Sequence, residues 1–308
     1  MRVVSMRTLR IAPKVISVTD VIALPNTNWD QRVTATEQEL AVDALERGSV
    51  LLFPQLSFLI QDDEQQLLSP TVAGHGKNVS LDPSSGSLRG SSAKGAELQR
   101  LHNMMDRFAT SSRDLLRCLL SRYETALEQG RTSFRPVEIA GRRTSWRKDD
   151  TRLHVDSFPS SPTQGKRILR IFTNVNPHGQ SRNWRLSEPF EGVACRYLHS
   201  ISRPIRGAGH VLNLLGITKS RRTAYDHYML QLHDRMKADV AYQSQVAQRD
   251  FAFHAGHTWM AFTDIVSHAA MSGQYALEQT SYLPVNAMLD PSRAPLRILE
   301  KFLGRELT

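Results

Sequence analysis

The sequence predicts an α+β fold in which short β-strands form the core and amphipathic helices flank it. Alternating apolar residues mark a strand at 168–175, and Gly256 and Ser272-Gly273 separate three more strands, the last covering 275–283. Apolar residues recur at helical spacing over 96–129 and 223–247. The chain contains no internal repeat and no interior linker, so we expect a single domain over residues 1–308.

The N-terminal half begins with an irregular or strand-bearing lead over residues 1–35. Thr36 and Glu39 fit a capping box at the start of a helix that ends before Gly48, and residues 49–53 predict a buried strand. Residues 68–95 are rich in Ser and Gly, which predicts a flexible surface loop. The pattern over 96–129 predicts one long helix, or two helices with a break at 110–112.

In the second half, we expect a strand over about 134–139 and a short strand over 153–158. Residues 183–207 are typical of extended pieces and turns. The segment 223–247 predicts a helical insertion, and residues 295–303 predict a last helix that Gly304 ends.

Composition excludes several classes of protein. The 308 residues are 40% hydrophobic and 22% charged, which are globular values, and no run approaches the roughly 18 apolar residues of a membrane span. The N-terminus has scattered basic residues and no apolar core, so no secretory signal is expected. Cys118 and Cys195 cannot form a disulfide framework, which favours a reducing cytoplasm.

The net charge of +9 favours an anionic partner. Nucleic acid, a phosphorylated or carboxylated substrate and an acidic membrane surface all fit that charge, and solubility alone explains it equally well.

A possible metal site begins at His154 and Asp156. Residues two apart on a strand point to the same face, so this imidazole and this carboxylate can reach one ion while Val155 packs on the other side. Because the chain has 11 His, a lone His-x-Asp pair is more often structural than metal-binding.

His268 is the candidate for a third ligand. It follows an apolar strand at 259–262 and precedes the turn at Gly273, a setting in which metal-binding β-barrels place their last ligand. Two His and one carboxylate form the facial triad of non-haem Fe(II) oxygenases.

Two alternatives stay open at this point. His254 and His257, with His268 or Asp264, offer the ligands of a zinc hydrolase, although three-residue spacing suits a helix and this segment does not look helical. The second alternative is a non-enzymatic basic β-rich protein that binds nucleic acid or an anionic glycolipid. Phosphate-binding loops, dinucleotide fingerprints and nucleophile elbows are absent from the sequence.

A basic cluster surrounds Trp146 just before His154. Arginine presents paired donors that suit a phosphate or carboxylate group, so the cluster is a candidate substrate contact, although a solvated surface explains it equally well. Its members are Arg142, Arg143, Trp146, Arg147 and Lys148.

Four segments resemble the Kdo 3-hydroxylases of Gram-negative lipopolysaccharide synthesis. They are RTSWRKDDTRLHVDSFPSSPTQGKRILRIFTNVNP (143–177), NWRLSEPFE (183–191), FTDIVSHAAMSGQYALEQTSYLPV (262–285) and DPSRAPLRILEKFLGREL (290–307). The resemblance implies a double-stranded β-helix (jelly-roll, cupin-like) core with flanking helices. It also implies a dioxygenase that uses Fe(II), 2-oxoglutarate and O2, with ascorbate as the reductant in assays.

The same resemblance implies a reaction and a site. The enzyme would hydroxylate carbon 3 of the outer Kdo sugar of Kdo-lipid A, giving D-glycero-D-talo-oct-2-ulosonic acid (Ko), CO2 and succinate. His154, Asp156 and His268 match the three iron ligands. No nucleic acid or protein partner is implied.

The sequence departs from a common pattern of 2-oxoglutarate enzymes, which place an Arg shortly after the last His ligand to bind the distal carboxylate. Glu278 and Gln279 occupy that region here, and Gln279 is kept as a candidate cosubstrate contact. We expect the cation on the strand after His-x-Asp instead, with Arg170 preferred over Lys166 and Arg167. An internal salt bridge is the alternative role for Arg170.

The implied substrate sets a location. Kdo carries a carboxylate, and lipid A carries phosphates and acyl chains, so we expect a peripheral protein on the cytoplasmic face of the inner membrane. The basic cluster is then expected at the rim of the iron site, with Trp146 helping to position the sugar.

Overall fold

The computed structural model describes residues 18–308, which form two β-sheets with helices around them. The interpretation of residues 1–17, including the absence of a secretory signal, lies outside the described residues. No helix between residues 18 and 308 has the length and apolar character that crossing a bilayer requires.

Seven α-helices and eleven strands occur in the described part of the chain. The helices are α1 (Ala35–Glu46), α2 (Gly95–Leu119), α3 (Phe190–Tyr197), α4 (Ala208–Leu214), α5 (Ala224–Ala238), α6 (Val240–Gln245) and α7 (Pro295–Leu303). The strands are β1 (Val21–Ala23), β2 (Val50–Phe53), β3 (Val79–Leu81), β4 (Leu88–Arg89), β5 (Glu128–Arg135), β6 (Arg167–Asn174), β7 (Arg182–Leu186), β8 (Arg249–Phe253), β9 (Thr258–Phe262), β10 (His268–Ser272) and β11 (Ala276–Leu283).

The larger sheet is mixed and has eight strands in the order β1-β2-β9-β6-β11-β5-β3-β4. Only the β1–β2 pair is parallel among these strands. The smaller sheet is antiparallel, with the order β10-β7-β8. Every residue of β6 is buried, because β6 lies in the middle of the larger sheet and is covered on both faces.

Aromatic side chains join the two sheets. Trp259 of β9 stacks between Phe172 of β6 and Phe253 of β8, with ring centroids 5.3 and 4.1 Å away. Trp184 of β7 meets Phe172, Phe253 and Trp259 edge-on at 5.0–5.7 Å. Rings of this size bury large apolar areas in preferred edge and stacked geometries, so this cluster fixes the spacing between the sheets.

Helix α2 covers the outer face of the larger sheet. The helix is continuous, so the alternative of a break at 110–112 is wrong, and Ser112 is buried inside it. It ends at Leu119 rather than near residue 129, and β5 begins at Glu128, several residues earlier than the strand expected over 134–139. The amphipathic pattern located the helix, but the apolar residues beyond Leu119 belong to a turn against the same core.

The prediction of a flexible loop over residues 68–95 is wrong. This segment contains a 3-10 helix at Pro70–Ala73 and the hairpin β3–β4, and β3 pairs with β5. Val79 and Leu81 alternate into the core, so the Ser- and Gly-rich segment contains a short strand that pairs with both β4 and β5.

Other helical boundaries also differ from the predictions. The capping box of α1 uses Thr34 and Glu37 instead of Thr36 and Glu39. Residues 183–207 contain the helix α3, and the helical insertion over 223–247 consists of α5 and α6, separated at Asp239, which caps α6. The strand β2 and the helix α7, which Gly304 ends in a left-handed conformation, are confirmed.

Two strand predictions around the candidate site need correction. Residues 153–158 form no regular strand; His154 makes one isolated antiparallel bridge to His268. The C-terminal β-region has four strands, because residues 263–267 separate β9 from β10. The expectation that His268 lies at a strand start is confirmed by β10.

A buried ion pair ties the start of β6 to the loop after β9. The Arg167 guanidinium donates to both Asp264 oxygens at 2.7 and 3.3 Å and lies 4.1 Å from the Phe262 ring, and both charged side chains are at most 1% exposed. Asp264→Ala is expected to lower the free energy of unfolding by about 3–5 kcal/mol, because it leaves a buried guanidinium unpaired. Urea unfolding measures this loss.

The paired variant Arg167→Met/Asp264→Leu provides the control for that prediction. It removes both charges and should therefore lose less stability than Asp264→Ala alone. A double variant that is as unstable as the sum of the two single variants would contradict this explanation.

Candidate metal centre

The two histidines are joined through their backbones. The amide of His154 donates to the carbonyl of His268, and the amide of His268 donates back to His154, both at 2.9 Å. Side chains directly opposite each other in an antiparallel pair lie close together, and the two imidazole centroids are 4.7 Å apart. This pair places His154 at the edge of the smaller sheet beside β10.

Each imidazole is oriented by a second hydrogen bond. Nδ1–H of His154 donates to the Arg152 carbonyl at 2.7 Å, and Nδ1–H of His268 donates to the Val266 carbonyl at 2.9 Å. Because a carbonyl only accepts, both Nε2 atoms carry the lone pair of a neutral ring. Burial lowers the pKa of His154 well below its ordinary value and also lowers the pKa of His268, so both rings are neutral, as metal ligands must be.

Asp156 supplies the oxygen donor. Its amide donates to the Thr263 carbonyl at 2.8 Å, and its Oδ1 lies 3.7 Å from His154 Nε2. Burial alone would raise the pKa of Asp156, but the Arg170 charge and the nearby His268 and Thr263 side chains together outweigh it, and the pKa falls below the usual range. Its Oδ2 is buried and has no hydrogen-bond partner.

These three side chains fit a divalent metal ion. One donor atom from each lies within 4.8 Å of the others, and no other such group of His, Cys, Asp and Glu occurs among residues 18–308. Two imidazole nitrogens and one carboxylate oxygen form the facial triad of non-haem iron sites, so the chemistry of this donor set fits iron. The predicted ligand set His154, Asp156 and His268 therefore converges in the structure.

Two aromatic neighbours hold the imidazole planes. Trp184 stacks on His268 with centroids 4.9 Å apart, and His233 of α5 meets His154 edge-on at 5.3 Å. These contacts restrict ring rotation, which is how outer residues keep metal ligands aimed at the ion.

The metal centre lies in a strongly basic cavity of about 560 Å³. Its apolar wall includes Phe158, Phe172 and Trp184. The cationic side chains that line it outnumber the acidic ones, so the cavity suits an anionic molecule. The cations are Lys77, Arg135, Arg147, Lys148, Arg170, Arg182 and Lys237, and the acids are Asp150, Asp156, Asp234 and Glu278.

Arg170 points into this cavity from β6. Its Nη1 lies 3.3 Å from Asp156 Oδ2 and 3.4 Å from Glu278 Oε1, and its buried Nε has no hydrogen-bond partner. The alternative role of Arg170, an internal salt bridge, is therefore present, and one donor of the guanidinium stays free. Lys166 pairs with Glu128 and Arg167 pairs with Asp264, which leaves Arg170 as the cation of this segment in the cavity.

Arg182 was missed by the sequence analysis. It lines the cavity from the start of β7, its Nη1 donates to the Gly273 carbonyl at 3.2 Å, and its Nε has no partner. Burial, with Arg135 nearby, lowers the pKa of Arg182 to about 10. The sequence does contain a signal for the placement of Arg182. Arg182, Trp184 and Leu186 alternate and therefore share the inner face of one strand.

The expectation that Gln279 contacts a cosubstrate is wrong. Its Oε1 accepts from Thr132 Oγ1 at 2.6 Å, and its Nε2 donates to the Gly130 carbonyl at 3.2 Å. Side chains alternate along β11, so Glu278 reaches the metal cavity while Gln279 lies on the opposite face, toward α2.

The residues of the basic cluster around Trp146 do not all lie at the metal cavity. Arg147 and Lys148 line the cavity, but Trp146 and Arg143 do not. Trp146 lies under the Arg147 guanidinium at 4.0 Å, and Arg147 also pairs with Asp234 at 3.0 Å. Arg142 is 3.6 Å from Asp150, and Arg143 is exposed.

The alternative zinc set is wrong. His254 and His257 occupy the β8–β9 turn, where the His254 amide donates to His257 Nδ1 at 3.2 Å and Ser181 bonds His254 Nδ1 at 2.8 Å. His268 lies with His154 and Asp156 instead, and Asp264 is committed to Arg167.

Comparison with known proteins agrees with this site. A family model described as 3-deoxy-D-manno-oct-2-ulosonic acid (Kdo) hydroxylase matches residues 28–306. A search of curated protein sequences found no match.

Solved structures of the Kdo hydroxylase KdoO, described as a non-haem Fe(II) α-ketoglutarate-dependent dioxygenase, are similar over nearly the whole chain. The complex with α-ketoglutarate and Fe(III) is 46% identical, with a TM-score of 0.91 over 94% of this chain and 98% of that one. The cobalt(II) complex is 47% identical (TM-score 0.91, coverage 94% and 97%), and the complex with succinate and Fe(III) is 46% identical (TM-score 0.90, coverage 94% and 97%).

Asp156→Ala is expected to abolish stoichiometric Co(II) binding. Loss of an outer partner alone costs about 10–100-fold in metal affinity, so loss of a ligand should weaken the Kd by on the order of 100-fold or more. Isothermal titration with Co(II) measures the affinity, and circular dichroism checks the fold. His257→Ala removes an imidazole outside the site and should bind Co(II) like the wild type; equal losses in both variants would refute the assignment.

Proposed function

Because the chain belongs to the Kdo hydroxylase family, we propose that it hydroxylates a Kdo sugar using Fe(II), 2-oxoglutarate and O2, with release of succinate and CO2. The observation that carries this conclusion is the convergence of His154, Asp156 and His268 inside a basic cavity. The protein is thus a non-haem Fe(II), 2-oxoglutarate-dependent dioxygenase, and the alternative of a non-enzymatic binding protein is wrong.

The residues of the site have different roles in the proposed reaction. His154, Asp156 and His268 would hold the iron, and a metal held by only three protein ligands can also bind a 2-oxo acid and O2. When bound, iron and 2-oxoglutarate supply the oxidising power that puts one oxygen atom of O2 into a C–H bond. The apolar wall of Phe158, Phe172 and Trp184 keeps water from the reacting centre, and the surrounding cations orient anionic groups.

We propose Arg170 as the anchor for the distal carboxylate of 2-oxoglutarate. It is buried beside the metal ligands, and its free Nε and its fork of donors suit a carboxylate. Its ion pair with Asp156 would also orient that ligand. Arg182 is the other buried guanidinium of the cavity with a free Nε and is the rival candidate.

The strand order supports a double-stranded β-helix core. From β5 onward, the extended segments β5, the His154 segment, β6 and β7 alternate between the larger and the smaller sheet. The order is then reversed, since β8 and β10 lie in the smaller sheet and β9 and β11 lie in the larger one. The result is a four-stranded set β5-β11-β6-β9 facing a set made of the His154 segment, β10, β7 and β8. We propose that these eight segments form the jelly-roll core and that the remaining strands extend its larger sheet.

For the substrate, we propose the outer Kdo sugar of Kdo-lipid A, hydroxylated at carbon 3 to give Ko. Support comes from the excess of cations in the cavity, which suits the Kdo carboxylate. A second, open groove of about 820 Å³ shares Arg135, Phe158, Pro159, Arg170 and Glu278 with the cavity and offers room for the rest of the saccharide. Such a substrate lies in a membrane, so we propose a peripheral location on the cytoplasmic face of the inner membrane.

Mass spectrometry tests the proposed reaction directly. Kdo-lipid A incubated with the protein, Fe(II), ascorbate and 2-oxoglutarate should gain the mass of one oxygen, and succinate should form in equal amount. The Asp156→Ala protein serves as the inactive control. Succinate formation without any change in Kdo-lipid A would refute the proposed substrate and leave the dioxygenase chemistry intact.

Arg170→Ala is expected to raise the Kd for 2-oxoglutarate by on the order of 30-fold or more, because truncating one partner of a buried charge pair costs at least about 2 kcal/mol. Titration of the Co(II)-saturated protein measures this affinity separately from metal binding, which the loss of the Asp156 ion pair should weaken by about 10–100-fold at most. Lys166→Ala, which removes a half-buried cation next to the same strand, should leave the affinity unchanged. An unaltered affinity in Arg170→Ala would shift the anchor to Arg182.

The cavity-lining pair Arg147 and Lys148 is proposed to attract the anionic substrate. Arg147→Glu/Lys148→Glu should lower turnover of Kdo-lipid A by roughly tenfold or more, since each basic residue near an anionic surface contributes about 1 kcal/mol. Uncoupled decarboxylation of 2-oxoglutarate should change little, and turnover by the unaltered protein should fall with added salt. Arg143→Glu, outside the cavity, is the matched control; equal loss of both activities in the double variant would contradict a role in substrate binding.

A further inference from the structure

Exposed apolar side chains are concentrated in one short segment, residues 203–222, which we call the protrusion. Five of the eleven exposed large hydrophobic residues between 18 and 308 lie in it. They are Ile205 (81% exposed), Val211 (54%), Leu214 (86%), Leu215 (66%) and Ile217 (55%). A concentration of exposed apolar side chains in one segment points to an interaction site, whereas singly scattered residues carry no such meaning.

The short helix α4 presents these side chains outward. No residue of α4 is buried, so the helix contributes nothing to the hydrophobic core. Val211, Leu214 and Leu215 have the spacing that brings side chains to one face of a helix. A Cβ atom at Gly209 would collide with the Arg222 carbonyl, so the glycine lets the returning chain pack closely on α4 and hold it in place.

The protrusion is also purely basic. It contains five cations, Arg203, Arg206, Lys219, Arg221 and Arg222, and the sequence has no acidic residue between Glu191 and Asp226. None of the five cations lies within 4.0 Å of a carboxylate in the described part of the chain. Apolar side chains on a short helix with a wholly cationic surround match the surface of an anionic lipid bilayer.

The base of the protrusion lies at the entrance to the active site. The Lys219 amide donates to the Ser160 carbonyl at 2.9 Å, and the Arg222 guanidinium donates to the Pro159 carbonyl. Pro159 lines both the metal cavity and the adjoining groove, and Lys219 and Ser220 line the groove. A surface that contacts the protrusion therefore lies next to the groove.

We propose that the protrusion docks the protein on an anionic lipid bilayer, with Leu214 and Leu215 inserted among the headgroups and the five cations against lipid phosphates. This inference builds on the proposed membrane-embedded substrate, because docking here places the groove beside the bilayer. It rests on its own observations, however, and its test uses lipids that contain no Kdo.

The test is co-sedimentation of the full-length protein with vesicles of phosphatidylcholine and phosphatidylglycerol, compared with phosphatidylcholine alone. The unaltered protein should bind the anionic vesicles and bind less as salt is added. Leu214→Ser/Leu215→Ser should weaken this binding by about tenfold or more, because two exposed leucines lose their apolar burial. The fold should be kept, since neither residue contributes to the core.

Matched variants make the result specific. Leu40→Ser/Leu59→Ser removes two leucines that are 64% and 75% exposed elsewhere and should bind anionic vesicles like the unaltered protein. Arg221→Gln/Arg222→Gln should also weaken binding, whereas Arg113→Gln/Lys301→Gln, which removes two exposed cations outside the protrusion, should not. The variants should retain Co(II) and 2-oxoglutarate affinity, so a failure of docking is distinguishable from a failure of the enzyme.

Three outcomes would overturn the proposal. The first is no binding of the unaltered protein to anionic vesicles, and the second is unchanged binding by Leu214→Ser/Leu215→Ser. The third is a dimer in analytical ultracentrifugation that this double variant converts to monomer while vesicle binding stays the same, which would assign the protrusion to a second copy of the chain.

Discussion

The reciprocal backbone hydrogen bonds between His154 and His268 bring together two distant parts of the chain. They add the His154 segment to the edge of the smaller sheet, and the same two residues carry two of the three metal ligands. Asp156, the third ligand, is held in place because its own amide donates to the Thr263 carbonyl in the loop between β9 and β10. Since each imidazole also donates to a carbonyl two residues earlier, the ligand geometry depends on backbone positions and needs no long polar side-chain network.

The cavity concentrates positive charge at a cost in stability. Burial lowers the pKa of Lys237 and of Lys77, which means that the surroundings oppose their charged forms. Partial compensation comes from Asp150, which pairs with Lys77 at 2.7 Å, and from Glu278, which pairs with Arg135 and Arg170. An anionic cosubstrate would complete this compensation, so the same charges that weaken the empty fold favour binding.

The site, the groove and the protrusion form a series of increasing exposure. The metal ligands are at most 8% exposed, the groove is open and polar, and the outermost helix has no buried residue. Pro159 and Ser160 connect all three, because their carbonyls accept from the protrusion while Pro159 lines both cavities. On the proposed function, this arrangement would bring the metal centre to a substrate whose reactive end projects from a lipid surface.

The sequence by itself determined the elements whose pattern reports a local rule. Helix α7 and strand β2 follow from periodicity and caps, and His154, Asp156 and His268 follow from residue type and from resemblance to a family. Only the tertiary structure decided which face of β11 meets the cavity, and this excluded Gln279 from the site. It also decided that Arg182 enters the site from β7. The local pattern gave wrong predictions at 68–95, where β3 pairs with β5, and at 223–247, where the Asp239 cap begins a second helix. The physical reason is common to all of these: alternation and spacing fix relative positions within one segment, whereas the partner of each face is set by contacts between segments far apart in the chain.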